Sequence, residues 1–150
     1  MEYFLTTLLI GLVATGAMTT FLWAVNSFNL YNVDMVKALG SFYTRKETNA
    51  TVPGLIFHFS AGIFFAFVYT FLFSVLPLPE QVSVYIFAIF GSLLGFVHGV
   101  VVSLFLVLMV SENHPLEKFR KVSLATAIFH FVAHVIYGLV VGSLYAAFLS

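Results

Sequence analysis

The sequence predicts an all-α protein: a four-transmembrane-helix bundle with a short amphipathic interfacial helix between spans one and two. Three observations predict it. The 150 residues are 61% hydrophobic and only 8% charged, where a soluble domain carries roughly a quarter charged residues. Four windows are each long enough to cross a bilayer, and none holds Asp, Glu, Lys or Arg in its interior. The mean hydropathy is +1.07, an apolar surplus that one small core cannot bury and that must face lipid.

The spans are expected at approximately 3–25, 53–76, 82–110 and 122–149, in a single membrane domain covering 1–150. The first begins beside Glu2 with no basic flank and is long enough to span, so it reads as a retained helix and not a cleaved signal. The segment after it is too long for a bare connection. Residues 33–43 read there as an amphipathic helix with Asp34 as N-cap. Met35, Val36, Leu39, Phe42 and Tyr43 are expected on its apolar side, and Asp34, Lys37 and Ser41 on its polar side. Such a helix lies in the headgroup plane or packs under the bundle. Spans two and three are joined by a proline-punctuated turn at 77–81, which makes them antiparallel neighbours. A polar, basic loop at 111–121 joins spans three and four, and His114 within it reads as solvated.

Span parity places the 26–52 and 111–121 segments on one side. All six cations, Lys37, Arg45, Lys46, Lys118, Arg120 and Lys121, fall there. The positive-inside rule makes that side cytoplasmic, so both termini are expected in the periplasm of a bacterial inner membrane.

In lipid, helices associate through small residues that let backbones approach closely. Gly91, Gly95 and Gly99 recur at that spacing in span three, as do His130, His134, Gly138, Gly142 and Ala146 in span four. Span two offers His58, Gly62, Ala66 and Tyr69, and span one Gly11, Ala14 and Ala17. These stripes are expected to face inward, as seams that pack the bundle or dock a second copy or another membrane subunit. Phe64, Phe65, Phe71, Phe73, Phe105 and Phe129 are expected to face lipid or the gaps between seams. Tyr3, Tyr85 and Tyr145 are expected at the outer interface and Trp23 at the inner one.

Six cations balance six acids, and no basic stripe offers the footprint that nucleic acid needs. The absence of cysteine excludes disulfides, thiolate metal sites and cysteine catalysis. With Asp34 as the lone aspartate and no lysine-bearing phosphate loop, Ser-His-Asp hydrolysis and nucleotide binding have no residues to carry them. Histidine is what remains. Four of the five histidines, His58, His98, His130 and His134, lie inside spans two to four, where an ionisable group is costly unless it has a partner or a task.

Counting along the helices puts His98 and His130 at similar depth and His134 about 6 Å further out, with His58 shallower. Convergence of His98, His130 and His134, with His58 as a fourth, suits a transition metal such as copper, zinc or iron. Two histidines on facing helices suit a single haem b. A proton relay and an accessory-subunit role, with each histidine acting as interhelical glue, are the alternatives.

The chain also resembles the YagU-type family of small bacterial inner-membrane proteins. The similarity rests on residues 11–18 (GLVATGAM), 58–69 (HFSAGIFFAFVY) and 134–142 (HVIYGLVVG). It implies a four-helix inner-membrane fold with a histidine early in span two and another in span four, and it brings no settled activity. The compact turn between spans two and three and the additional His130 depart from the family pattern.

Overall fold

The computed structural model describes residues 1–28, 33–76 and 83–149, which contain helices and no strand. The long helices are α1 (Glu2–Ser27), α3 (Thr51–Ser74), α4 (Val84–Phe105) and α7 (Leu124–Phe148), with α2 (Met35–Thr44) between the first two. α4 continues through a π-helical turn at Leu106–Val110 into α5 (Ser111–Asn113), and α6 (Glu117–Arg120) precedes α7. The apolar stretches of 26, 24, 30 and 25 residues are about 36–45 Å long at 1.5 Å per residue, enough to cross a hydrocarbon layer of roughly 30 Å. The protein is a multi-pass helical membrane protein whose apolar outer faces meet lipid. The turn expected at 77–81 lies outside the described residues.

Side chains fix several helix starts. Asp34 accepts a bond from the Lys37 amide at 3.0 Å, as expected of the N-cap of α2. Ser83 caps α4 by accepting from the Tyr85 amide, and Ser123 caps α7 by accepting from the Thr126 amide at 3.0 Å. α2 ends at Arg45, whose backbone is left-handed at φ 55°, a turn that stops the helix.

The long helices pack in the order α4, α7, α1, α3, and α2 lies against α3. The α4–α7 contact is the most intimate, and glycine is the reason. A Cβ on Gly91 would overlap the Gly138 carbonyl oxygen, one on Gly138 would overlap the Gly91 carbonyl oxygen, and one on Gly142 would overlap the carbonyl oxygen of Phe87. Two turns deeper, a Cβ on Gly99 would come within 3.2 Å of the His134 Cβ. The backbones therefore touch along three turns, and the histidines beside them are held at close range.

α1 closes on α3 by a different device. Gly11 sits where a Cβ would lie 2.9 Å from the Ile63 Cα, and Gly62 leaves room for the Thr15 side chain. Thr15 donates its hydroxyl proton to the Gly11 carbonyl at 2.7 Å, and Thr19 donates to the Thr15 carbonyl at 2.7 Å. The α1 seam thus runs through Thr7, Gly11, Ala14, Thr15, Met18 and Thr19. Ala17, expected on it, is only partly buried, because threonines whose hydroxyls bond within the helix occupy the inward positions.

α2 is docked on the bundle. A Cβ on Gly40 would overlap the Ala50 carbonyl oxygen, and one on Gly54 would overlap the Val36 carbonyl oxygen. Its buried face is Met35, Val36, Gly40 and Ser41, while Phe42 and Tyr43 are exposed. This corrects the expected faces: Ser41 turns inward because its hydroxyl donates to the Lys37 carbonyl at 2.5 Å, which satisfies its polarity, and because Gly40 beside it admits α3.

His114 is also corrected, from solvated to fully buried. The Leu116 amide donates to its Nδ1 at 3.0 Å, so Nε2 carries the proton and donates to the Ala38 carbonyl at 3.0 Å. The ring lies between Phe42 and Phe119 and ties the 111–121 connection to α2. Outside it, the Lys118 ammonium donates to Glu47 at 2.6 Å, and Lys37 lies 3.8 Å from the same carboxylate. The two cation-bearing segments thus meet at one end of the bundle. At the other end, Phe73 fills a gap between seams, the second of its two expected places, and Tyr145 departs from its expected interface position. Both are buried, with Tyr145 ring centroids 5.0 Å from Phe73 and from Phe87. That end is closed by stacked rings.

Gly91→Ala is expected to force α4 from α7 and cost about 1–3 kcal/mol, read as earlier loss of helicity on titration with a denaturing detergent; an unchanged midpoint would contradict the close contact. Bonding to Lys118 holds the Glu47 carboxyl below its ordinary value near 4.5. A lowered carboxyl stabilises the fold fully above that ordinary value and loses its contribution as pH falls through the lowered one. The protection factors of the amides over residues 44–50 should therefore fall on acidification below about 4.5, and Glu47→Gln should remove that dependence.

Candidate functional site

α3 and α4 scarcely touch, although both pack well elsewhere. Between them lies a cavity of about 710 Å³, within the range of small-molecule and cofactor sites. α2 covers its cation-rich end through Met35, Leu39 and Phe42, and the π-helical turn contributes Leu106, Met109 and Val110. Phe57 of α3 and Phe105 of α4 line it and are themselves half-exposed, so the wedge opens sideways toward acyl chains. A π-turn widens a helix by one residue per turn and is frequent at functional sites. Here it extends the third span to Asn113, beyond the expected end at 110.

Polar groups gather at the deep wall. His58, His98, His134 and Tyr137 line the cavity. The His98 and His134 rings meet edge to face with centroids 4.7 Å apart, and Phe65 lies against His98 at 4.0 Å. Tyr69 Oη and His98 Nδ1 are hydrogen-bonded at 3.2 Å, one donating to the other. Tyr137 donates its hydroxyl proton to the Gly62 carbonyl at 2.5 Å, joining α7 to α3 at the glycine that also admits Thr15.

The backbone fixes the tautomers of two histidines. His134 Nδ1 lies 2.7 Å from the His130 carbonyl oxygen, and His130 Nδ1 lies 2.8 Å from the Thr126 carbonyl oxygen. A carbonyl oxygen only accepts, so each Nδ1 carries a proton and donates it. In the neutral ring, Nε2 is then the acceptor. Among the described residues, no Asp or Glu lines the cavity to pair with an imidazolium, so the neutral ring is the form the membrane interior accommodates. His58 Nε2 and His130 Nε2 are buried with no hydrogen-bond partner among the described residues.

The four predicted histidines are therefore divided. His58, His98 and His134 share one cavity. His130 faces a separate space of about 30 Å³ near Val33, Leu106 and Phe119, enough for one water. The expected depths are off by one turn: His98 meets His134 and not His130, and His98 and His134 each lie 12 residues in from the expected span ends at 110 and 122. Among the described residues, no group of three or more His, Asp or Glu side chains is gathered as a metal site. Tyr137 is a wall residue bonded across helices to Gly62, and its place between His134 and Gly138 on the inward stripe is the signal that finds it.

Tyr137→Phe should remove one buried interhelical bond, destabilising the bundle by about 0.6 kcal/mol and at most about 1.7. Detergent denaturation reads this directly, and a loss of several kcal/mol would mean that the hydroxyl holds more than one helix pair. In comparisons with known proteins, no family model, curated protein or solved structure matched this chain.

Proposed function

We propose that this protein is a small bacterial inner-membrane protein, with both termini periplasmic, that binds a neutral lipophilic molecule taken laterally from the bilayer between α3 and α4. The observation that carries the reading is the cavity itself: apolar, open to acyl chains, and polar where His58, His98, His134 and Tyr137 reach it, apart from Tyr43 and Asn113 near the α2 end. No Asp, Glu, Lys or Arg lines it, which favours an uncharged occupant. The orientation is supported by the cation count, since the two segments holding all six Lys and Arg residues meet at one end. The YagU-type kinship is retained as part of this proposal on the motifs that carry it.

A single haem b is the second reading. It is favoured by His134, whose Nδ1 proton is held by a backbone carbonyl, as in many histidines that ligate iron through Nε2. Against it, the two haem propionates would find no cation among the lining residues. A three-histidine copper, zinc or iron site has less support, because the described residues do not gather one.

Val102→Trp should fill the wedge with an indole. Solvent extracts of the purified wild type, analysed by mass spectrometry, should contain a near-stoichiometric neutral lipophile that the variant lacks while keeping its helicity. Identical extracts would contradict the proposal. A Soret band in the wild type that is lost in His134→Ala would favour haem over a neutral ligand.

A further inference from the structure

We infer that the cavity recognises its ligand by accepting a proton from it, so that the occupant's polar end is a hydroxyl, as in a hydroquinone or a long-chain alcohol, and not a bare carbonyl. This deepens the lateral-binding proposal and rests on it. The argument is one of hydrogen-bond bookkeeping at the deep wall.

His134 spends its Nδ1 proton on the His130 carbonyl, and the Tyr137 hydroxyl spends its proton on the Gly62 carbonyl. Both residues line the cavity. What each has left is a lone pair: Nε2 on the first and Oη on the second. The His98–Tyr69 pair holds one proton between its two facing atoms and a second on an outer atom, and the His58 ring carries one more; those donors belong to other residues, and at His134 and Tyr137 the fixed capacity is lone pairs. A ketone or quinone oxygen brought to His134 and Tyr137 would oppose lone pair to lone pair. A hydroxyl would complete the set, and leaving a buried acceptor unmet costs about 1–3 kcal/mol. The backbone prevents the alternative. For His134 to offer a proton from Nε2 it would have to abandon the carbonyl one turn below, and its ring is held edge to face against His98 at 4.7 Å.

The test compares two probes of equal shape. Decylhydroquinone, kept reduced under argon, and the matching decylquinone are titrated into the full-length protein in lipid nanodiscs, with dodecanol as a third arm. The hydroquinone is expected to bind at least tenfold tighter than the quinone, and His134→Phe to abolish that preference. Competition by dodecanol would place the recognition in the hydroxyl alone, and its failure would place it in a phenolic hydroxyl; both support the inference. Equal or tighter binding of the quinone overturns it while leaving lateral binding intact. If none of the three probes binds, the lateral-binding proposal itself falls. Nitrogen-15 spectra of the wild type provide a second readout that needs no variant. His134 Nε2 should resonate as an unprotonated nitrogen and shift on adding hydroquinone. A protonated Nε2 overturns the inference.

Discussion

The close backbone contact between α4 and α7 is the constraint on which the rest depends. In lipid there is little hydrophobic drive to press helices together, so they associate where their surfaces allow many short contacts. Gly91, Gly95 and Gly99 on one helix and Gly138 and Gly142 on the other remove the side chains that would hold the backbones apart. That contact sets the separation and rotation of the two helices, and so brings His98 edge to face with His134. It also commits the inner face of α4 to α7, which leaves α3 without a full partner on that side. The cavity is the consequence: α1 holds α3 from behind, α7 holds α4, and the wedge between α3 and α4 stays open.

Two further devices make the wedge a chamber. Gly40 and Gly54 bring α2 onto α3, and buried His114 ties α2 to the connection between α5 and α7, so the cation-rich end is covered. The deep end is closed by Phe65, His98 and Tyr69 in mutual contact. Each closing element satisfies its polar atoms locally, as membrane depth demands. The lone pairs of His134 and Tyr137, with the unpartnered Nε2 of His58, are the polar capacity that this local accounting leaves over at the deep wall.

Much of the fold was legible in the sequence because composition and small-residue spacing are local properties. The spans, the cap at Asp34 and the inward stripes on α3, α4 and α7 all follow from residues within a few turns of each other. What was not legible depends on non-local packing. Ser41 and His114 look like surface residues until α2 is laid over the loop that buries them. Tyr145 has the profile of an interfacial anchor, yet Phe73 and Phe87 enclose it. The site was half legible. Membrane depth singled out all four histidines, but only the rotation of α7 decides that His58, His98 and His134 share a space while His130 faces another. A cavity is made by two helices failing to touch, and no residue pattern announces that.

The most direct measurement is an experimental structure of the wild-type protein in nanodiscs formed from its native membrane lipids. The account predicts α3 and α4 held apart, with density for an elongated apolar molecule between them and its polar end within hydrogen-bond distance of His134 Nε2 and Tyr137 Oη. Helices α3 and α4 packed face to face, with those two atoms bonded to protein and no intervening space, would contradict it.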